Sequence, residues 1–115
     1  MGDPGGSGQS SRVSYDGIHV RDGLVVDTVV VTCLPIPRQV LVHAVLQIQV
    51  AGLWVRQGRD RLLDQVDTPL AAIDLNAPCR AGTWRTWVRV AGVNPDGTGF
   101  EFTTTSPPVP LASCG

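Results

Sequence analysis

Residues 79–103, CRAGTWRTWVRVAGVNPDGTGFEFT, hold two alternating apolar and polar runs on either side of a turn. Pro95-Asp96-Gly97 suits a three-residue hairpin loop, because proline presets φ for the first turn residue and glycine takes the left-handed position after it. Asn94 then pairs with Thr98, and counting outward sets Gly92 against Phe100, Val90 against Phe102 and Val88 against Thr104. The other face receives Ala91 with Glu101, Arg89 with Thr103 and Trp87 with Thr105. A four-residue loop would put Phe102 opposite Arg89 and Val90 opposite Glu101, mixing core and solvent faces, so the three-residue loop is preferred. The same count sends Trp84, Thr86, Val88 and Val90 inward and Arg85, Trp87 and Arg89 outward.

Working outward from this hairpin, Val40–Val50 and Leu53–Gln57 flank Ala51-Gly52. A two-residue turn there pairs Val50 with Leu53, Ile48 with Val55 and Leu46 with Gln57, and sets Gln49 against Trp54 and Gln47 against Arg56. Val13–Val20 and Leu24–Cys33 are β-branched runs separated by Arg21-Asp22-Gly23, a third hairpin signal. The second of these runs is apolar on both faces, so its core side is not legible. Leu34-Pro35-Ile36-Pro37-Arg38 breaks the strand. Gly58–Thr68 is polar and carries Asp and Arg, with Leu62 and Leu63 as its only apolar pair, and reads as a loop with room for a short strand or a helical turn; Pro69–Leu75 is a further strand. The proline-rich tail from Ser106 suits a sheet edge. About seven short strands and no sustained helical period predict an all-β chain, a single antiparallel immunoglobulin-like β-sandwich over residues 13–115, with a small barrel as second choice. Residues 1–12 read as a flexible leader, either native or left after removal of a signal peptide.

The 115 residues fit one domain with a core of its own. A formal charge of −1 without a run of like charges argues against nucleic acid as a partner. No apolar stretch reaches the length of a membrane span. All nine basic residues are arginine, the mark of a GC-rich genome.

Three cysteines, Cys33, Cys79 and Cys114, leave one unpaired in any disulfide. If the strands simply alternate in direction, Cys79 and Cys114 share one end of the sandwich. An additional strand between Gly58 and Thr68 would reverse that parity and bring Cys33 near Cys79. Both pairings stay open, as do three reduced thiols in an intracellular or virion protein. The spacings of Val-Thr-Cys33, Leu-Gln-Ile-Gln with Leu-Trp54, Cys79-Arg-Ala-Gly-Thr-Trp-Arg and Cys114 resemble those of small actinobacterial secreted proteins of uncharacterised function, over residues 13–114. The resemblance implies an exported β-sandwich with a disulfide and implies no activity.

Chemistry would need a base, a nucleophile or a metal within mutual reach. The two histidines, His19 and His43, are far from the cysteines in sequence, no C-x-x-C spacing occurs, and Asp60, Asp64, Asp67 and Asp74 lack the compact loop that calcium requires. No catalytic residue, cofactor or metal is expected, and the chain reads as non-enzymatic. The outward residues of two hairpins do add up to a candidate binding face of Trp54, Arg56, Arg85, Trp87 and Arg89, since tryptophan and arginine dominate interface energetics. In the competing reading Arg85 and Arg89 lie over Trp87 and merely cover the sheet, while Trp54 packs under the tail. The expected function is an exported module that binds or coats a protein or glycan partner; the alternative is a capsid-decoration or tail protein of an actinobacterial phage virion.

Overall fold

The computed structural model describes residues 10–114. Its strands are β1 (Ser10–Tyr15), β2 (His19–Arg21), β3 (Leu24–Leu34), β4 (Gln39–Val50), β5 (Leu53–Val66), β6 (Leu70–Pro78), β7 (Gly82–Val93), β8 (Gly99–Thr105) and β9 (Val109–Leu111). All pairings are antiparallel. In one sheet β3 lies between β6 and an edge shared by β1 and β2. In the other the order is β5-β4-β7, with β8 and β9 on successive stretches of the outer side of β7. The two broken edges each count as one, so seven strand positions form an immunoglobulin-like sandwich of three strands against four.

The core lies between the sheets. It takes every second residue of β3 (Val25, Val29, Val31, Cys33), β4 (Val40 through Ile48), β6 (Ala71, Ile73, Leu75, Ala77) and β7 (Trp84, Val88, Val90). Phe100 and Phe102 pack against it from β8. Both registers counted from the sequence hold, with Val90 against Phe102 and Ile48 against Val55. The turns follow the same chemistry: Asp22-Gly23 and Ala51-Gly52 all have positive φ, as the twist of a two-residue hairpin requires. The tail lies on an edge as expected, with β9 paired to the start of β7.

Two readings need correction. The run expected as one strand over Val13–Val20 is split, because at Asp16-Gly17-Ile18 the chain leaves the edge of β3 and Ile18 turns into the core. The segment expected as a loop over Gly58–Thr68 is mostly the second half of β5, in which Arg61–Val66 pairs with Gln39–Ala44. Three residues, Gly58-Arg59-Asp60, oppose Val45 alone, and this polar bulge carries no apolar alternation from which the strand could be read. Gly58 is needed there: its φ is +75°, and a Cβ would lie 2.7 Å from both the Ala77 Cβ and the Asn76 carbonyl of β6. Of the leader, residues 1–9 lie outside the described residues, whereas Ser10, Ser11 and Arg12 belong to β1 and pair with Leu34, Cys33 and Thr32.

A carboxylate crosses the core. Asp27, on the inward side of β3 and 2% exposed, accepts the Gly17 N–H at 2.9 Å and the Thr86 hydroxyl of β7 at 2.5 Å. Thr86 in turn donates its N–H to Ser106 Oγ (2.8 Å) and accepts the Ser106 N–H (2.9 Å). A buried charge must be met by donors, and this one takes them from the break in the first strand and from the facing sheet.

Because the polar segment after Gly58 extends β5 rather than adding a strand, the parity of the chain is kept. Cys79 bonds to Cys114 with Cα atoms 5.8 Å apart, and Cys33 is a buried thiol at the other end, accepting a hydrogen bond from Ser11 Oγ (2.9 Å). The bridge anchors the end of the chain to the β6–β7 connection.

Two stability measurements follow. Asp27→Ala should lower the unfolding free energy by about 3 kcal/mol, with less than additive loss in Asp27→Ala/Thr86→Val, in a urea double-mutant cycle. The Cys79→Ser/Cys114→Ser variant should lose about 4 kcal/mol in the same assay, from loop-closure entropy over the 35-residue separation.

Candidate functional site

The inward positions of β4 and β7 being taken by the core, their alternate residues stand on the outer face of the four-stranded sheet, where pairing arranges them in rows. Gln49 lies beside Trp54; Gln47 lies between Arg56 and Arg85; Val45 is beside Trp87. Next come Leu62, His43, Arg89 and Thr103; then Asp64, Leu41, Ala91 and Glu101; and last Val66, Gln39, Val93 and Gly99.

At the hairpin end the Arg85 guanidinium stacks over the Trp54 ring, 4.3 Å from its centroid, and its Nε donates to Gln47 Oε1 at 2.7 Å. The guanidinium is held in place here by stacking and by a planar acceptor. In the middle, the His43 ring meets Trp87 edge-on with centroids 5.3 Å apart. Val45 beside it is 4% exposed, so Trp87 rests on a covered apolar floor. Arg89 pairs with Glu101 at 2.5 Å.

The structure therefore brings all five sequence-identified residues, Trp54, Arg56, Arg85, Trp87 and Arg89, onto one face but divides them differently. It is Trp54 that takes an arginine, from Arg85, while Trp87 takes His43. The tail does not cover Trp54: β9 runs along Gly82–Trp84, at the opposite edge of the sheet.

Sequence reasoning missed the His43–Asp60 pair and the apolar end of the face. His43 Nε2 donates to Asp60 Oδ2 at 2.8 Å, and Arg56 NH1 is 3.7 Å from the same oxygen. The hydrogen bond from His43, aided by the Arg56 charge, holds the Asp60 carboxyl below its ordinary value. Asp60 shares the parity of Arg56 and Leu62, so the two extra residues of the bulge leave it on the outer face within reach of His43. Leu62 and Val66, each 65% exposed, complete the face, and they were hidden by reading their strand as a loop. An alternating Leu62-x-Asp64-x-Val66 pattern was the signal available.

His19, the other histidine, donates from Nδ1 to the Gly17 carbonyl at 2.8 Å and stands away from this face. Among the described residues no group of three or more His, Cys, Asp or Glu is placed to hold a metal ion, and no helix is long and apolar enough to cross a membrane. A depression of about 380 Å³ on the three-stranded sheet, bordered by Asp16, His19, Asp74 and Asn76, is remote from the tryptophans. Compared with protein-family models and with curated proteins, the chain matches none.

The Asp60 interaction has a definite pH sign. A carboxyl whose value is lowered on folding contributes stability above its unfolded value and loses it as the pH falls through the folded one. In His43→Phe, which keeps a ring against Trp87, the Asp60 carboxyl should titrate at higher pH than in the parent, read from its carboxyl-carbon NMR shift.

Proposed function

We propose that this chain is an exported, non-enzymatic β-sandwich module that binds or coats a protein or glycan partner through the outer face of its four-stranded sheet. The observation carrying this reading is the Trp54–Arg85–Gln47 cluster. An indole, a guanidinium and an amide are stacked and hydrogen-bonded in place at one end of the sheet, and tryptophan and arginine are the residues enriched at interface centres. Their prior ordering lowers the entropy lost when a partner docks. Export is supported by the Cys79–Cys114 disulfide, a bond that persists in oxidising compartments, and fits the resemblance to small actinobacterial secreted proteins. A capsid-decoration or tail protein of an actinobacterial phage virion is the alternative reading of the same face. The two differ in the partner recovered.

Trp87 is a poor probe, because it lies over Val45 and its loss would disturb the sheet. Trp54 at the hairpin is the better one. Trp54→Ser should abolish capture of the partner from the native source at an unchanged melting temperature; capture at full strength by the variant would refute the face.

A further inference from the structure

The outer face is complementary to itself, and the geometry points to a second copy of this chain as its occupant, in a face-to-face dimer whose two-fold axis reverses the strands. The inference rests on the binding face proposed above and gives it a partner. Its first support is charge. The hairpin end carries Arg56 and Arg85, while the opposite end carries Asp64 and Glu101, so the face is positive at one end and negative at the other. Two copies with parallel strands would set like charges together; reversal sets each end against its opposite.

The rows make the register specific. A two-fold placed midway between the Val45 and His43 rows lays the Gln47 row over the Leu41 row of the second copy. Arg56 then meets Asp64 of the second copy, and Arg85 meets the Ala91–Glu101 pair of the second copy. The same operation brings Trp54 over Val66 of the second copy and Trp87 over Arg89 of the second copy, with His43 of the second copy one strand away. Val66, 65% exposed in the isolated chain, is thus covered by an aromatic ring. Among the described residues Asp64 is in no ion pair; it accepts a hydrogen bond from Gln39 Nε2 at 3.1 Å.

Size sets the strength. Four strands about 4.8 Å apart and the Gln39–Gln49 length at about 3.3 Å per residue give a face of about 600 Å² per copy, about 1,200 Å² in all. That is at the lower edge of specific interfaces, so the dimer is reversible and its population depends on concentration.

The test is sedimentation equilibrium of the intact, disulfide-bonded chain from about 1 µM to about 1 mM. The mass should double with concentration. Arg56→Asp and Asp64→Arg should each raise the dissociation constant at least about tenfold, and Trp54→Ser, which alters no charge, should weaken it as well. R56D/D64R, which swaps the charges, should recover the dimer. A single mass at all concentrations, a dimer indifferent to either single change, or failure of the double variant to recover overturns the proposal. Arg56 and Asp64 are exposed, and circular dichroism checks that each variant folds. A strictly monomeric chain that still captures a partner through Trp54 refutes the dimer and keeps the binding module, whereas a dimer that captures nothing else does the reverse.

Discussion

Strand β7 is paired along both edges, to β4 throughout and to β8 and β9 in succession, and its two-residue alternation constrains the rest of the molecule. With Trp84, Thr86, Val88 and Val90 fully buried, a shift of one residue would bring Arg85, Trp87 and Arg89 into the core and expose Trp84. The penalty for burying two unpaired guanidiniums and exposing an indole is comparable to the whole stability of a small domain. The register of β7 thereby fixes which face of β4 is inward, and through β4 the row positions of β5. The outer face is a by-product of this demand, since whatever the core refuses must stand on the other side.

Thr86 gives that strand a second duty. A threonine on an inward position would leave a hydroxyl without a partner, but Asp27 of the facing sheet accepts it, and Asp27 in turn holds the Gly17 amide where the first strand breaks. Ser106 closes the network by binding both backbone groups of Thr86 just beyond β8. Four separate parts of the chain are thus tied by one buried polar set, which apolar packing alone would leave free to slide. Such a network penalises alternative sheet registers, because any shift strands a carboxylate in the core.

On the outer face the long polar side chains are mutually ordered rather than independently solvated. Arg85 is shared by Trp54 and Gln47, Asp60 by His43 and Arg56, and Glu101 answers Arg89. Exposed pairs of this kind add little to stability. Their effect is on shape: they hold the charges of the face at defined rows, with the positive excess near the hairpin and the carboxylates toward the loops. That polarity is what a surface of mixed charge lacks when its side chains move freely.

The hairpin registers around Pro95-Asp96-Gly97 and Ala51-Gly52, the burial of Trp84 and the outward placement of Trp54, Arg56, Arg85, Trp87 and Arg89 were all determined by sequence alone, because turn chemistry and a period of two act over a few residues. The all-β class and the antiparallel sandwich followed from them. Only the tertiary structure decided the core side of β3, whose alternation is apolar on both faces, and the burial of Asp27 against Thr86, partners 59 residues apart. It also decided the course of β5, where a polar three-residue bulge interrupts the apolar pattern that marks a strand, and with it the Cys79–Cys114 pairing, which depends on the number of strands between the cysteines. The cap of Arg85 on Trp54 and the His43–Asp60 pair belong to the same class. Each joins side chains on neighbouring strands, and which of several reachable partners an arginine or a histidine takes depends on distances that exist only once the sheet has formed.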